Sequence, residues 1–139
     1  MKKHKESSLA MDIIGLQNSI QKRIGGALSI HGIGLSEYLV LHQLFIAPNQ
    51  KMRRIDLAER VGLSPSGITR LLNPMEKIGL IEKEDNPRDA RVSLVAFSKA
   101  GKRVYEEAQI SFQHASAALF EPLNSKQLGV FSDLVETLT

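Results

Sequence analysis

Two groups of side chains in the middle of the chain have the types and spacing to hold an anion. The first is Arg88, Asp89 and Arg91 within Asn86-Pro-Arg-Asp-Ala-Arg-Val-Ser-Leu94, where a carboxylate two positions from an arginine can hold its guanidinium in place. The second is Ser64, Ser66, Thr69, Arg70 and Asn73, hydroxyl, amide and guanidinium groups that return to one side of a helix at about 100 degrees per residue. Such groups donate to phosphate oxygens and read base edges in a major groove. Each group alone also has an ordinary explanation, since arginines solvate turns and polar stripes cover surface helices.

These side chains act together only if the chain folds back beside a helix. Asp85, Asn86 and Pro87 are turn formers, and Pro87 biases Asn86 away from helix, so the chain reverses there. Leu80-Ile-Glu-Lys-Glu84 precedes the turn. After it Val92, Leu94 and Ala96 alternate with Ser93, Val95 and Phe97, the pattern of a half-buried hairpin with Arg88 and Arg91 near its tip. Upstream, Ser64-Pro65 is a capping residue followed by proline at a first helical position. The helix it opens has Ile68, Leu71, Leu72, Met75 and Ile78 on its back and Ser66, Thr69, Arg70, Asn73 and Lys77 on its front. A shorter helix over about residues 54–61 ends at Gly62, with Ala58 small enough for close approach, so the pair reads as a helix-turn-helix. Pro74 cannot donate to the carbonyl of Arg70, which predicts a kink or local break and weakens the case for Lys77 as a phosphate contact.

Flanking this centre, Leu9, Ile13, Leu16, Ile20, Ile24 and Leu28 recur at three- and four-residue steps and predict a long amphipathic helix, weakened late by Gly25-Gly26. A linker over residues 30–35 follows, with Ser36 as N-cap of a helix over about residues 37–45 that Pro48-Asn49 closes. Beyond the hairpin, Ser98 can cap a helix to about Phe120, with Val104, Ala108, Phe112, Ala115 and Leu119 on one stripe. Asn124 and Gln127 form a capping box for a last helix carrying Leu128, Phe131, Val135 and Leu138 on one face.

At 139 residues and 42% hydrophobic the chain is sized for one domain or a compact pair of subdomains. A net charge of +3 permits an anionic partner without requiring one. Its distribution says more: Lys2, Lys3 and Lys5 open the chain, whereas residues 104–139 hold Glu106, Glu107, Glu121, Asp133 and Glu136 against the single Lys126, so the acidic end is not expected to face DNA. With no cysteine, disulfides, cysteine-ligated zinc and thiol redox sensing are excluded. No apolar run approaches the ~18 residues of a membrane span, and Glu6, Ser7, Ser8 and Asp12 follow the first lysines in place of an apolar signal core, so the expected location is cytoplasmic.

The stretch Asn86-Pro-Arg-Asp-Ala-Arg-Val-Ser-Leu94, followed by Ser98-Lys-Ala-Gly101 and preceded by Leu57-Ala-Glu-Arg-Val-Gly-Leu-Ser64 and Ile68-Thr-Arg-Leu-Leu72, resembles the MarR family of bacterial transcriptional regulators. The fold this implies is mainly α with a small antiparallel β-hairpin (α+β): a winged helix-turn-helix lobe over residues 35–97, and a helical dimerisation region made by residues 1–34 and 98–139. The resemblance further implies a homodimer straddling a pseudo-palindromic double-stranded DNA operator, its recognition helices in successive major grooves about 34 to 36 Å apart. Carried over by position, Ser64, Pro65, Ser66, Thr69, Arg70 and Asn73 would contact the major groove. Asp89 and Arg91, with Arg88 near, would form a tip in the minor groove, and Arg91 is the leading residue. Pro74 departs from the family, many of whose members carry a basic residue there. A repressor released by a small aromatic or other organic effector, fitting between residues 16–44 and the DNA-binding lobe, completes the expectation.

Catalysis is not expected, and neither is a cofactor: there is no G-x-S-x-G, P-loop or H-E-x-x-H, and Gly32-Ile33-Gly34 lacks the third glycine and preceding strand of a dinucleotide site. Two rivals share the fold. One is a zinc-responsive regulator using His31, His42 and His114 with Glu37, Glu106 or Glu107, although their spacing is no ligand signature. The other is a winged-helix protein-interaction module, which would keep the core but need no arginine tip.

Overall fold

The computed structural model describes residues 2–139; Met1 and the side chains of Lys2, Lys3 and His4 lie outside the described residues. Six α-helices and three short strands follow in the order α1 (Lys2–Ser29), α2 (Leu35–Ile46), β1 (Lys51–Arg53), α3 (Arg54–Val61), α4 (Pro65–Lys77), β2 (Ile81–Glu84), β3 (Leu94–Phe97), α5 (Lys99–Phe120) and α6 (Ser125–Leu138). The chain divides into two compact units, one of residues 28–110 and one of residues 1–27 with 111–139. No described helix is long and apolar enough to cross a membrane.

The larger unit holds the helix-turn-helix. Leu41, Leu44, Leu57, Ile68, Leu72 and Met75 are fully buried where α2, α3 and α4 pack on one another. Each large apolar side chain so removed from water contributes about 1.5 to 3 kcal/mol. The turn between α3 and α4 is made by Gly62 at φ 72°, ψ 34°, a left-handed geometry that glycine adopts without a Cβ clash. Leu63 N–H then closes back on the Ala58 carbonyl at 2.9 Å. Pro48 and Asn49 close α2 as expected, Asn49 and Gln50 both at positive φ as the chain turns toward β1.

Several boundaries differ from the sequence expectation for local reasons. Helix α1 begins by Lys2, ahead of the apolar periodicity at Leu9, because lysine and glutamate are good helix formers that need no apolar signal. Gly34, not Ser36, is the N-cap of α2: its N–H is taken by the Glu37 carboxylate at 2.7 Å, which moves the helix start back to Leu35. Ile78 is 63% exposed, since α4 stops at Lys77 and the backbone leaves the helix there. No break appears at Pro74, which lies in the last turn; α4 continues unbroken to Lys77.

The sheet carries one strand more than a hairpin. Strand β3 is central, pairing antiparallel with β1 (Met52 opposite Val95) and with β2 (Ile81 opposite Phe97). The expected alternation therefore fails in β3, where adjacent Val95 and Ala96 are both buried. The second strand starts at Leu94, leaving Val92 and Ser93 in the loop.

Ser98 fastens the sheet to α5. Its buried hydroxyl lies 2.7 Å from both the Gly79 and Leu80 carbonyl oxygens and accepts the Gly101 N–H at 2.9 Å. Gly101 sits so close that an added Cβ would collide with the Leu80 carbonyl. Tyr105, rather than Val104, takes the core-facing position on α5, with Phe45 and Tyr38 ring centroids at 4.9 and 5.2 Å.

In the smaller unit the Asn124–Gln127 capping box forms as expected, with reciprocal bonds of 2.8 and 3.0 Å. Phe120 meets Phe131 edge-on at 6.2 Å. No residue of α6 is buried, and Leu128, Val130, Leu134, Val135 and Leu138 are all exposed.

Candidate nucleic-acid interface

Helix α4 presents the polar stripe on a rigid back. Ile68, Leu72 and Met75 anchor one side in the core, so the opposite side faces outward by geometry. Ser64, Pro65, Ser66, Arg70 and Asn73 are exposed there and Thr69 is half-buried. Ser64 is the N-cap, accepting the Gly67 N–H at 3.0 Å, and its hydroxyl lies 3.3 Å from that of Ser66. Thr69 donates its hydroxyl proton to the Pro65 carbonyl at 3.0 Å and accepts from Arg54 Nη1 at 3.2 Å.

The loop between β2 and β3 is shaped by its own side chains. Asn86 Oδ1 accepts the Arg88 N–H at 2.9 Å, and Asp89 N–H closes on the Asn86 carbonyl at 3.2 Å. One Asp89 oxygen then accepts both the Arg91 backbone N–H at 3.0 Å and the Arg91 Nε at 3.2 Å. The Arg91 guanidinium beside it, helped by that backbone bond, holds the Asp89 carboxyl below the usual carboxylate range. Arg91 nevertheless keeps 89% of its side-chain surface exposed, so the pair orients the guanidinium without covering it. Arg88 is exposed beside it, its backbone N–H donating to Asn86 Oδ1.

Helix and loop open onto one groove of about 560 Å³, whose lining includes Pro65 and Thr69 of α4 and Arg91 of the loop. Three cations absent from the sequence-based set line it as well: Arg53, Arg54 and Lys83. For Arg53 and Arg54 the signal was the basic run Lys51-Met-Arg-Arg54 at the start of α3, which periodicity reads only as a helix start. Arg53 is engaged by Asp56 at 2.9 Å, and Lys51 by Glu84 at 3.3 Å. The arrangement suits a polyanion: fixed hydroxyls and an amide along a helix, and guanidinium groups on either side of it.

The histidines and acids considered for zinc are otherwise employed or apart. His42 Nδ1 lies 2.7 Å from the Tyr105 hydroxyl, and Glu37 caps α2. Burial raises the pKa of Tyr105 and, reinforced by the neighbouring Tyr105, that of Tyr38, so both phenols stay protonated. Among the described residues no three histidine, aspartate or glutamate groups gather as a metal site would require.

Residues 33–93, which contain the helix-turn-helix and the loop with Arg91, match the family model described as MarR family. This central segment carries the MarR-family pattern. Relatives of the whole chain include the HTH-type transcriptional regulator PrsX of Escherichia coli, 24% identical over 126 residues that span 83% of this chain and 76% of PrsX. The HTH-type regulator YhbI of Bacillus subtilis is 24% identical over 107 residues, 77% of this chain and 68% of its own. Among solved structures, a cysteine-to-serine mutant of Escherichia coli MarR complexed with operator DNA superposes with a TM-score of 0.87 at 20% identity, covering 94% of this chain and 93% of that one. A MarR family regulator from Streptomyces coelicolor in complex with DNA gives 0.87 at 19% identity, covering 97% and 86%. At those identities the likeness to the solved structures is one of fold.

Proposed function

We propose that this chain is a MarR-family repressor that binds a pseudo-palindromic duplex operator as a homodimer, with α4 as recognition helix in the major groove and Arg91 in the minor groove. The observation that carries the reading is the shared groove, lined by Pro65 and Thr69 of α4 and by the Asp89-oriented Arg91 of the loop. Ser64, Pro65, Ser66, Thr69, Arg70 and Asn73 line the helical part of the contact, and Arg88 and Asp89 flank Arg91. A wing arginine gains from the concentrated negative potential of a narrow minor groove. Two solved relatives of this fold carry DNA in their structures, which supports the same partner here.

The dimer is supported by the apolar face that α6 leaves exposed and by exposed Leu9, Met11, Ile13 and Ile14 on α1. Apolar surface of this extent on a folded chain marks an interaction site. Release by a small organic effector completes the reading on the strength of the family resemblance, through tighter binding of the effector to a DNA-incompetent geometry.

Selection from random duplexes by the purified protein tests the proposal. The expected product is an inverted repeat with half-site centres about one helical turn apart, bound by wild type and weakened by Arg91→Ala without loss of folding. Recovery of no sequence, or equal binding by Arg91→Ala, would overturn it. A panel of small aromatic acids that left operator affinity unchanged would remove the effector from the reading.

A further inference from the structure

The cation best placed to meet the DNA backbone was not among the residues the motif suggests. Arg54, the first residue of α3, reaches across to α4, where its Nη1 donates to the Thr69 hydroxyl at 3.2 Å. That hydroxyl has its single proton committed to the Pro65 carbonyl at 3.0 Å, so toward Arg54 it is an acceptor and a fixed anchor. A guanidinium carries five N–H donors in a planar fork, and this bond uses one of them. The contrast with the neighbouring cations is sharp: Arg53 is paired with Asp56, Lys51 with Glu84 and Arg91 with Asp89. Among the described residues no carboxylate lies within ion-pair distance of Arg54. Its side chain is half-buried and lines the groove that also holds Lys83 and Arg91. A partly desolvated, oriented and uncompensated guanidinium is matched by an oxyanion that accepts its fork in bidentate fashion.

We propose that Arg54 grips a backbone phosphate of the bound duplex between recognition helix and wing, and that its bond to Thr69 sets the register of the base-reading face against that phosphate. The proposal rests on the DNA-binding reading above. It also gives Thr69 a distinct part: its hydroxyl, occupied within the protein, positions Arg54 rather than reading a base.

The test is the salt dependence of binding to the selected operator and to a scrambled duplex, for wild type, Arg54→Gln, Thr69→Val and the pair combined, each checked for native circular dichroism. A phosphate contact acts on both duplexes alike and releases counterions. Arg54→Gln should therefore weaken both by about tenfold at low salt and make the log-log salt slope shallower by about 2 for a dimer with two such contacts. Thr69→Val should reproduce part of that loss and add little on top of Arg54→Gln, as coupled residues do. Arg54→Lys, which keeps the charge, should keep the slope while losing severalfold in affinity, and it carries the test if the glutamine variant does not fold. An unchanged slope in Arg54→Gln, or a loss confined to the operator, overturns the proposal while leaving DNA binding intact. Failure of wild type to bind either duplex removes the functional reading itself.

Discussion

Helices α4 and α6 are nearly the same length and carry the same kind of amphipathic stripe, yet they end differently. In α4 the stripe is buried, with Ile68 and Met75 at 0% exposure, whereas α6 leaves Leu134 at 59% and Leu138 at 78%. Period alone says that a face must be covered; it does not say whether the cover comes from the same chain. For α4 the cover is α2, α3 and β2, and the reward is a polar face held in a fixed direction. For α6 no residue is buried within the chain, so its apolar side is available to a second copy.

The largest expected effect breaks that second half of the comparison. Leu134→Glu places a charge on the exposed apolar face, which costs little in the isolated chain but leaves an unpaired charge in the proposed dimer interface. Light scattering should report monomers, and operator affinity should fall by about a hundredfold or more, as the two half-sites cease to be bound together. A variant that remained dimeric would show that α6 does not form the interface.

The matching change in α4 is Leu72→Ala. Leu72 is buried in the core beneath the polar front, and truncation should cost about 2 to 5 kcal/mol of stability in urea unfolding through lost burial and the cavity left behind. A cost below about 1 kcal/mol would be that of an unpacked surface position, and would mean that α4 lacks the rigid back assigned to it.

What could be read from the residues and what could not follows the same division. The α3–α4 turn, the Ser64 cap, the Asn124–Gln127 box and the Asp89–Arg91 pair were legible, because each depends on side chains within a few positions of one another. Strand β1 was not, because three residues, Lys51, Met52 and Arg53, become a strand only by pairing with β3 more than forty positions on. The same distant pairing buries both Val95 and Ala96 and so erases the alternation that identified a hairpin. The stripe on α5 points Val104 inward in place of Tyr105, one step of helix phase away, since periodicity does not register that a tyrosine can lie among Tyr38, Phe45 and Phe97 with its hydroxyl on His42. Arg54 escaped because its meaning depends on Thr69, fifteen residues away on another helix.

On the exposed side of α4 the effects should concern recognition rather than folding. Arg70 is exposed and its loss disturbs no core contact, so Arg70→Ala should leave the unfolding curve in place and cost about 1 to 3 kcal/mol of operator affinity if it reads a base edge. The diagnostic is that the loss should be concentrated at one base pair of each half-site when single substitutions in the operator are compared. A uniform loss across all sequences would make Arg70 a backbone contact like the one proposed for Arg54.

The smallest effect separates orientation from attraction at the wing. Asp89 brings a negative charge toward a polyanion, which on Coulomb grounds alone opposes binding, but it also ties down the Arg91 backbone and guanidinium. Its carboxyl titrates below the ordinary aspartate value, so the tie is fully present above that value and is lost only as the pH falls through the lowered one. Between about pH 6 and pH 8 the pair should therefore contribute no pH dependence to operator binding. Asp89→Ala should leave the melting temperature unchanged, because the exposed pair is screened by solvent, and should weaken the operator complex by about twofold to fivefold, the size of an exposed ion pair. Tighter binding by Asp89→Ala would mean that the carboxylate acts chiefly as a repulsive charge, and that Arg91 reaches its groove without being positioned.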